Sequence, residues 1–369
     1  MLDTIRSCTS SSGTSAEPPG VESTGQSSTL LVVGDVHNQW GDEDETAIEF
    51  VDPDMVIFVG DIGNEDVDLV KRIGSYSRYR KVVVLGNHDA WYSLTSRGKQ
   101  RAIKAALQSS SLQRFSGNSD GVVESLNALG DCHIGYSSMV AEDLGLVFAG
   151  ARPFSKGGMQ WGTVAEFYKK YYNVDSMEDS MSKILESVLD EKNAKHALVV
   201  VAHNGPTGLG SRQEDPCGVD FMDPADDFGD PDLEEALQVA SSCGRQASLV
   251  LFGHMHHRLK KGGFRNMVSV DDDGTVYLNA AVVPRTKNVH MDDNTVATSR
   301  HFVKVTMTDG AVQEASNIWI TVHQAHDVAS CQVAENQVIV KRASPEHEHG
   351  KSVINYYKAH TDEWEHVVL

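Results

Sequence analysis

The chain has 369 residues, enough for a large core, with 40% apolar and 23% charged residues, which is ordinary for a globular protein. Its formal net charge of −20 argues against nucleic acid and anionic membrane as partners, because neither is attracted to an acidic surface. No apolar run reaches the 18 or more residues that would span a bilayer, and the five cysteines are scattered without a CxxC pair, which suits free thiols in a reducing compartment.

In chain order, residues 1–28 are rich in Ser and Thr and poor in anything that packs, so they are expected to be disordered. From Thr29 a unit repeats: an apolar run, a Gly-containing polar turn, then an amphipathic segment. "TLLVVGDVH" leads to "EDETAIEFV", "DMVIFVGDIGN" to "EDVDLVKRIGSY", and "KVVVLGNHD" to a longer polar-apolar stretch. Continuous Val/Ile/Leu runs indicate strands buried on both faces, and their alternation with helices indicates an α/β fold. A β-like patch over His133–Phe154 precedes two helices between about Val164 and Asn193, then the strand "HALVVVAHNG". Gly, Pro and Asp crowd Asn204–Pro231 into a long loop beside the expected site. A helix ending near Gly244, the strand "ASLVLFGHMHH" and several later strands follow. Periodicity fades after Val322, so 323–369 is read as a C-terminal extension.

Five expected strand ends carry uncushioned polar residues: Asp35 and His37, Asp61, Asn87-His88-Asp89, His203, and His254 with His256. Ligands of open α/β sheets bind beyond the carboxyl ends of the strands, so these residues should converge. Setting His88 aside, they offer two carboxylates, four imidazoles and one amide oxygen, more than a single ion takes. Two ions sharing a carboxylate would use them all, and the mixed N/O set suits Mn, Fe or Zn. The acidic run Asp42–Glu45 reads as a solvated face.

These five spaced blocks resemble the calcineurin-like metallophosphoesterase superfamily over residues 29–322. "GDVHNQWGDEDE", "GNHDAWY" and "HNGPTGLG" are most similar to a cyanobacterial and plant branch. The resemblance implies two mixed β-sheets packed as a sandwich flanked by helices. It implies that Asp35, His37 and His256 hold one metal, that Asn87, His203 and His254 hold the other, and that Asp61 bridges them. His88 would be the acid beside the substrate, with Asp89 hydrogen-bonded to it as support. Arg152 and Trp40 are candidates for substrate binding, the first as a phosphate clamp. The expected activity is hydrolysis of a phosphomonoester or phosphodiester of a small soluble substrate by a metal-held hydroxide. An atypical protein phosphatase, or a metal-retaining scaffold with little activity, is the alternative. Ser/Thr protein phosphatases continue past their bridging Asp with Val-Asp-Arg-Gly, whereas Asp61 is followed by Ile-Gly-Asn-Glu. Purple acid phosphatases place a tyrosine where this chain has Asn64. A compartment inside the cell, cytoplasm or chloroplast, is expected, and the oligomeric state is left open.

Overall fold

The computed structural model describes residues 25–108, 120–190, 194–290, 296–325, 328–343 and 352–369. Of the segment expected to be disordered, residues 1–24 lie outside the described residues, and the first strand already begins at Ser27.

Three strand–helix units open the chain. They are β1 (Ser27–Val33) with α1 (Asp42–Val51), β2 (Met55–Phe58) with α2 (Val67–Ser75), and β3 (Lys81–Val83) with α3 (Ser96–Gln108) and α4 (Gly121–Leu129). Then come β4 (Ser138–Ala141), β5 (Leu146–Gly150), α5 (Ala165–Tyr172), α6 (Met177–Leu189), β6 (Ala197–Val201) and α7 (Pro231–Ser242). After β7 (Ala247–Phe252) the described elements are all strands: β8 (Val268–Val270), β9 (Val276–Asn279), β10 (Thr286–His290), β11 (Val296–Thr308) and β12 (Ala311–Ala325). The last three are β13 (Val328–Ala343), β14 (Val353–Lys358) and β15 (Glu363–Val368).

The strands form two mixed sheets. One runs β15-β14-β13-β12-β11-β1-β2-β3, with β10 paired to β11; the other runs β4-β5-β6-β7-β9-β8. Pairing is parallel along β1-β2-β3 and along β5-β6-β7-β9. The sheets pack face to face: Leu30, Val32 and Ile57 of the first share a buried cluster with Phe148, Val199 and Leu249 of the second. The alternate residues Leu31, Val33 and Phe58 turn outward against Ile48, Ile73 and Val122 of the helices. On the other sheet Leu198, Val200 and Val250 meet Ile184 and Leu185 of α6 and Leu233 of α7. Burial on both faces is why these runs are uninterruptedly apolar.

Two expectations change. The described residues beyond Val322 are mostly strand: β13, β14 and β15 continue the first sheet, and Val340, Ile354 and Tyr356 enter the core between the sheets. Their periodicity is hard to read because Gln332–Gln337 of β13 are exposed on both faces. The acidic run at α1 is not a solvated face throughout. Asp44 is fully buried, accepts from the Gly41 N–H at the helix start and pairs with Arg285 and Arg300. An acidic side chain there satisfies an orphan donor and complements the helix dipole.

Candidate metal centre

Every polar insertion leaves the carboxyl end of a parallel strand: Asp35 and His37 follow β1, Asp61 follows β2, Asn87–Asp89 follow β3, His203 follows β6, and His254 and His256 follow β7. Three strands belong to one sheet and two to the other, so the donors meet across one end of the sandwich. Backbone bonds lock the turns together: His37 N donates to Asp61 O (2.7 Å) and Gly253 N to His203 O (2.8 Å). His88 N donates to Asp61 Oδ1 (2.8 Å), and His254 N to Asp35 Oδ1 (3.1 Å). Glycine is required where the turns touch: a Cβ on Gly86 would fall against Asp61 Oδ1 and one on Gly253 against Asp35 Oδ1.

The side chains gather in three overlapping groups, the middle one, His37 with Asp61 and His88, sharing a residue with each of the other two. Asp35, His37 and His256 form the first: His37 Nε2 and His256 Nε2 are 3.1 Å apart, and Asp35 Oδ2 is 3.3 Å from His256 Nε2. The third comprises Asp61, His203 and His254, with Asn87 Oδ1 3.0 Å from His203 Nε2. Asp61 lies between them, its Oδ2 3.8 Å from His37 Nε2 and its Oδ1 3.3 Å from His203 Nε2. His203 Nδ1 donates to the Val59 carbonyl at 2.7 Å, which fixes the tautomer and leaves Nε2 as a ligand atom. The floor is dry and the rim open, since the side chains of Asp35 and His203 are inaccessible while that of His256 is 42% exposed.

The donor set fits metal ions. Asp35 Oδ2 is buried without a hydrogen-bond partner, and two ring nitrogens point at each other where a shared cation would relieve both. Burial alone would raise the Asp35 carboxyl, yet His256 and His37 hold it well below the usual carboxylate range. His37 and His203 are pushed up by the carboxylates against the opposing effect of burial, whereas burial, reinforced by His203, brings His254 down to about 3. His37, Asp61 and His254 all adopt left-handed backbone, with φ of 43°, 50° and 67°. Non-glycine residues enter this region at a cost, and strain of this kind gathers at functional sites.

His88 sits beside this cluster, its Nε2 4.0 Å from Asp61 Oδ2 and its ring edge-on to His37. Its support differs from the expectation. Asp89 is buried, and its carboxylate accepts from the Gly63 N–H (3.1 Å) and the Gly86 N–H (2.8 Å), tying two ligand loops together rather than holding His88. Burial, with the Asp61 charge adding to it, raises Asp89 to about 7. The imidazole is held instead by Asn64, whose Oδ1 accepts from His88 Nδ1 at 2.6 Å, and by Trp91, which stacks on the ring at 4.3 Å. Asn64 stands three residues after Asp61, where the sequence marks only a missing tyrosine. The Arg101 guanidinium lies over the Trp91 ring at 3.8 Å.

The two substrate-binding candidates are displaced. Arg152 is 2% exposed and committed to Asp230 (2.8 Å) and Asp232 (2.9 Å), so its guanidinium serves a buried ion-pair network instead of a phosphate. Trp40 is 7% exposed and packs on Phe58 in the layer beneath α1. Its apolar ring helps build the core rather than a substrate wall.

None of the curated proteins matches this chain significantly. Among solved structures, the chain is similar to TT1561 of Thermus thermophilus, at 9% identity over 74% of this chain and 98% of that one, with a TM-score of 0.37. It is also similar to the phosphopantetheinyl hydrolase PptH from Mycobacterium tuberculosis, at 15% identity over 70% of this chain and 91% of that one, again with a TM-score of 0.37. The calcineurin-like phosphoesterase family model matches residues 28–258, a stretch that contains all seven candidate ligands. The chain belongs to the calcineurin-like phosphoesterase family, and is thereby a metal-dependent hydrolase of phosphoester bonds.

Proposed function

We propose that the chain is a two-metal phosphoesterase acting on a small soluble phosphomonoester or phosphodiester. Asp35, His37 and His256 hold one ion, Asn87, His203 and His254 hold the other, and Asp61 bridges them. The observation that carries this reading is the split of the Asp61 carboxylate, one oxygen toward His37 and the other toward His203. Manganese, iron and zinc all suit the imidazole–carboxylate–amide set. Bound there, the ions would neutralise phosphoryl charge and lower the pKa of a water enough for attack near neutral pH.

The protein's own groups supply the rest. The buried Asp35 and His203 hold fixed positions that need no reorganisation during reaction. His88, its Nδ1–H held by Asn64, offers Nε2 to the leaving-group oxygen, to which a protonated ring donates its proton. The reading assigns catalysis to residues 29–322, with the strands beyond Val322 completing the first sheet that carries part of the site, and keeps cytoplasm or chloroplast as the compartment.

The test is hydrolysis of bis-p-nitrophenyl phosphate beside p-nitrophenyl phosphate by chelated protein, with Mn²⁺ added back and Asp61→Ala as control. Metal-dependent turnover that the control lacks supports the reading, and the preferred ester separates diesterase from monoesterase. Turnover unaffected by chelation, or retained by Asp61→Ala, refutes it.

A further inference from the structure

Arg265 is one of the largest fully buried side chains of the protein, 1% exposed, and among the described residues no carboxylate lies closer to its charge than Asp220, 4.0 Å away. A buried guanidinium needs its donors satisfied. Here backbone carbonyls do this, and they come from two places. Nε donates to the carbonyl of His256 at 3.1 Å. Nη1 donates to the carbonyls of Gln213 (2.7 Å), Asp215 (2.8 Å) and Gly218. The main chain repeats the junction, since Arg265 N donates to His257 O (2.7 Å) and Asn266 N to Glu214 O (2.7 Å). One side chain therefore joins the backbone of a candidate metal ligand to the loop between β6 and α7. That loop starts next to another candidate ligand, His203, and ends at α7.

We infer that Arg265 is a positioning residue that couples the conformation of the 213–218 loop to occupancy of the metal position built on His256. The inference rests on the two-metal reading above. The planar fork matters: only a rigid, many-donor cation reaches carbonyls in both segments at once. Coupling of this kind is reciprocal, so metal binding at His256 orders the loop, and a ligand that favours the ordered loop tightens the metal.

The experiment is Mn²⁺ titration of the chelated full-length protein, wild type beside Arg265→Met and Arg265→Lys, with amide hydrogen exchange followed across 213–218. Wild type should bind two ions, and loading should slow exchange at the loop amides, among them Asp215 N and Gly218 N, which bond within the turn. Arg265→Met should keep one ion at wild-type affinity and bind the second about 10–100-fold more weakly, the usual cost of losing support behind a ligand. Arg265→Lys keeps the charge without the fork and should recover only part of that loss, while loading no longer slows the loop. Two ions bound with unchanged affinities in a folded Arg265→Met protein would overturn the coupling. So would wild-type loop exchange indifferent to Mn²⁺, a readout that stands even if both variants fail to fold. A wild type that takes fewer than two ions would instead overturn the two-metal reading, and this inference with it.

Discussion

Asn64 and Asp89 divide the support of His88 in a way that substitution separates. Asn64→Ala removes the acceptor at 2.6 Å from His88 Nδ1 and leaves the stacking on Trp91. A neutral hydrogen bond contributes about 0.5–1.5 kcal/mol net, and Asn64 is exposed, so kcat should fall about 2- to 10-fold with the melting temperature nearly unchanged. Asp89→Ala acts on folding instead. Two buried backbone donors, Gly63 N and Gly86 N, lose their acceptor. At about 1–3 kcal/mol for each orphaned group, the loss is about 2–6 kcal/mol, visible as a melting shift of several degrees and as weaker metal retention. Asn64→Asp supplies a third arm: a carboxylate against Nδ1 favours the imidazolium, so the pH limb of kcat assigned to His88 should move up by about 1 unit. The assays are pH–rate profiles at saturating Mn²⁺ and differential scanning calorimetry. A silent Asn64→Ala together with a stable Asp89→Ala of strongly reduced kcat would refute this division and return Asp89 to the role of direct support.

Other outcomes follow from the same geometry. His88→Ala should retain both ions while kcat drops about 10²–10⁴-fold, the range for a lost general acid, and unchanged turnover would remove His88 from the chemistry. Arg152→Met strips a buried cation from Asp230 and Asp232, which should cost about 3–5 kcal/mol of stability with KM at residual activity unmoved; a raised KM in a stable protein would restore the phosphate clamp. His301 is held by burial at about 3, so the folded state stays neutral while the unfolded chain takes up a proton below its ordinary 6.5. Its contribution to stability is present above that pH and lost as pH falls toward 3; between pH 6.5 and 5 the loss is about 2 kcal/mol. Calorimetry of His301→Gln against wild type should show a flatter acid limb, and identical limbs would contradict the assignment. Leu249→Ala, which empties a fully buried position between the sheets, should cost about 2–5 kcal/mol by denaturant melts.

The convergence of the candidate site was legible in the sequence because its candidate ligands come from loops that begin where an uninterrupted apolar run stops. A run such as Val82–Leu85 announces a strand buried on both faces, and the residue types beyond it announce chemistry. The same logic gave the alternation of buried strands and helices, an α/β fold, whereas the two-layer sandwich came only with the family resemblance. The logic failed where burial is one-sided or mixed. In β13 the stretch Gln332–Gln337 has no buried face, so the strand that leads into the end of the first sheet carried no readable signal. Asp44 failed for the opposite reason: its two arginine partners, Arg285 and Arg300, lie more than 200 positions away, and a run of acids says nothing of distant cations.

Support for the site was the least legible part, because it works through the main chain. The resemblance gives Asp89 to its neighbour His88, yet the short turn Asn87–Ala90 points its carboxylate back at the Gly63 and Gly86 amides. Arg265 gave no signal at all, since it bonds carbonyls, and carbonyls have no residue type. The backbone of the site is itself costly. Three candidate ligands sit at positive φ, at roughly 1–3 kcal/mol each, so the native backbone must be over-determined around them. The bonds from His37 N to Asp61 O, from His88 N to Asp61 Oδ1 and from His254 N to Asp35 Oδ1 supply that excess. Each ties a strained residue to a second loop, so the geometry of the candidate site is fixed by contacts between loops rather than by any single turn.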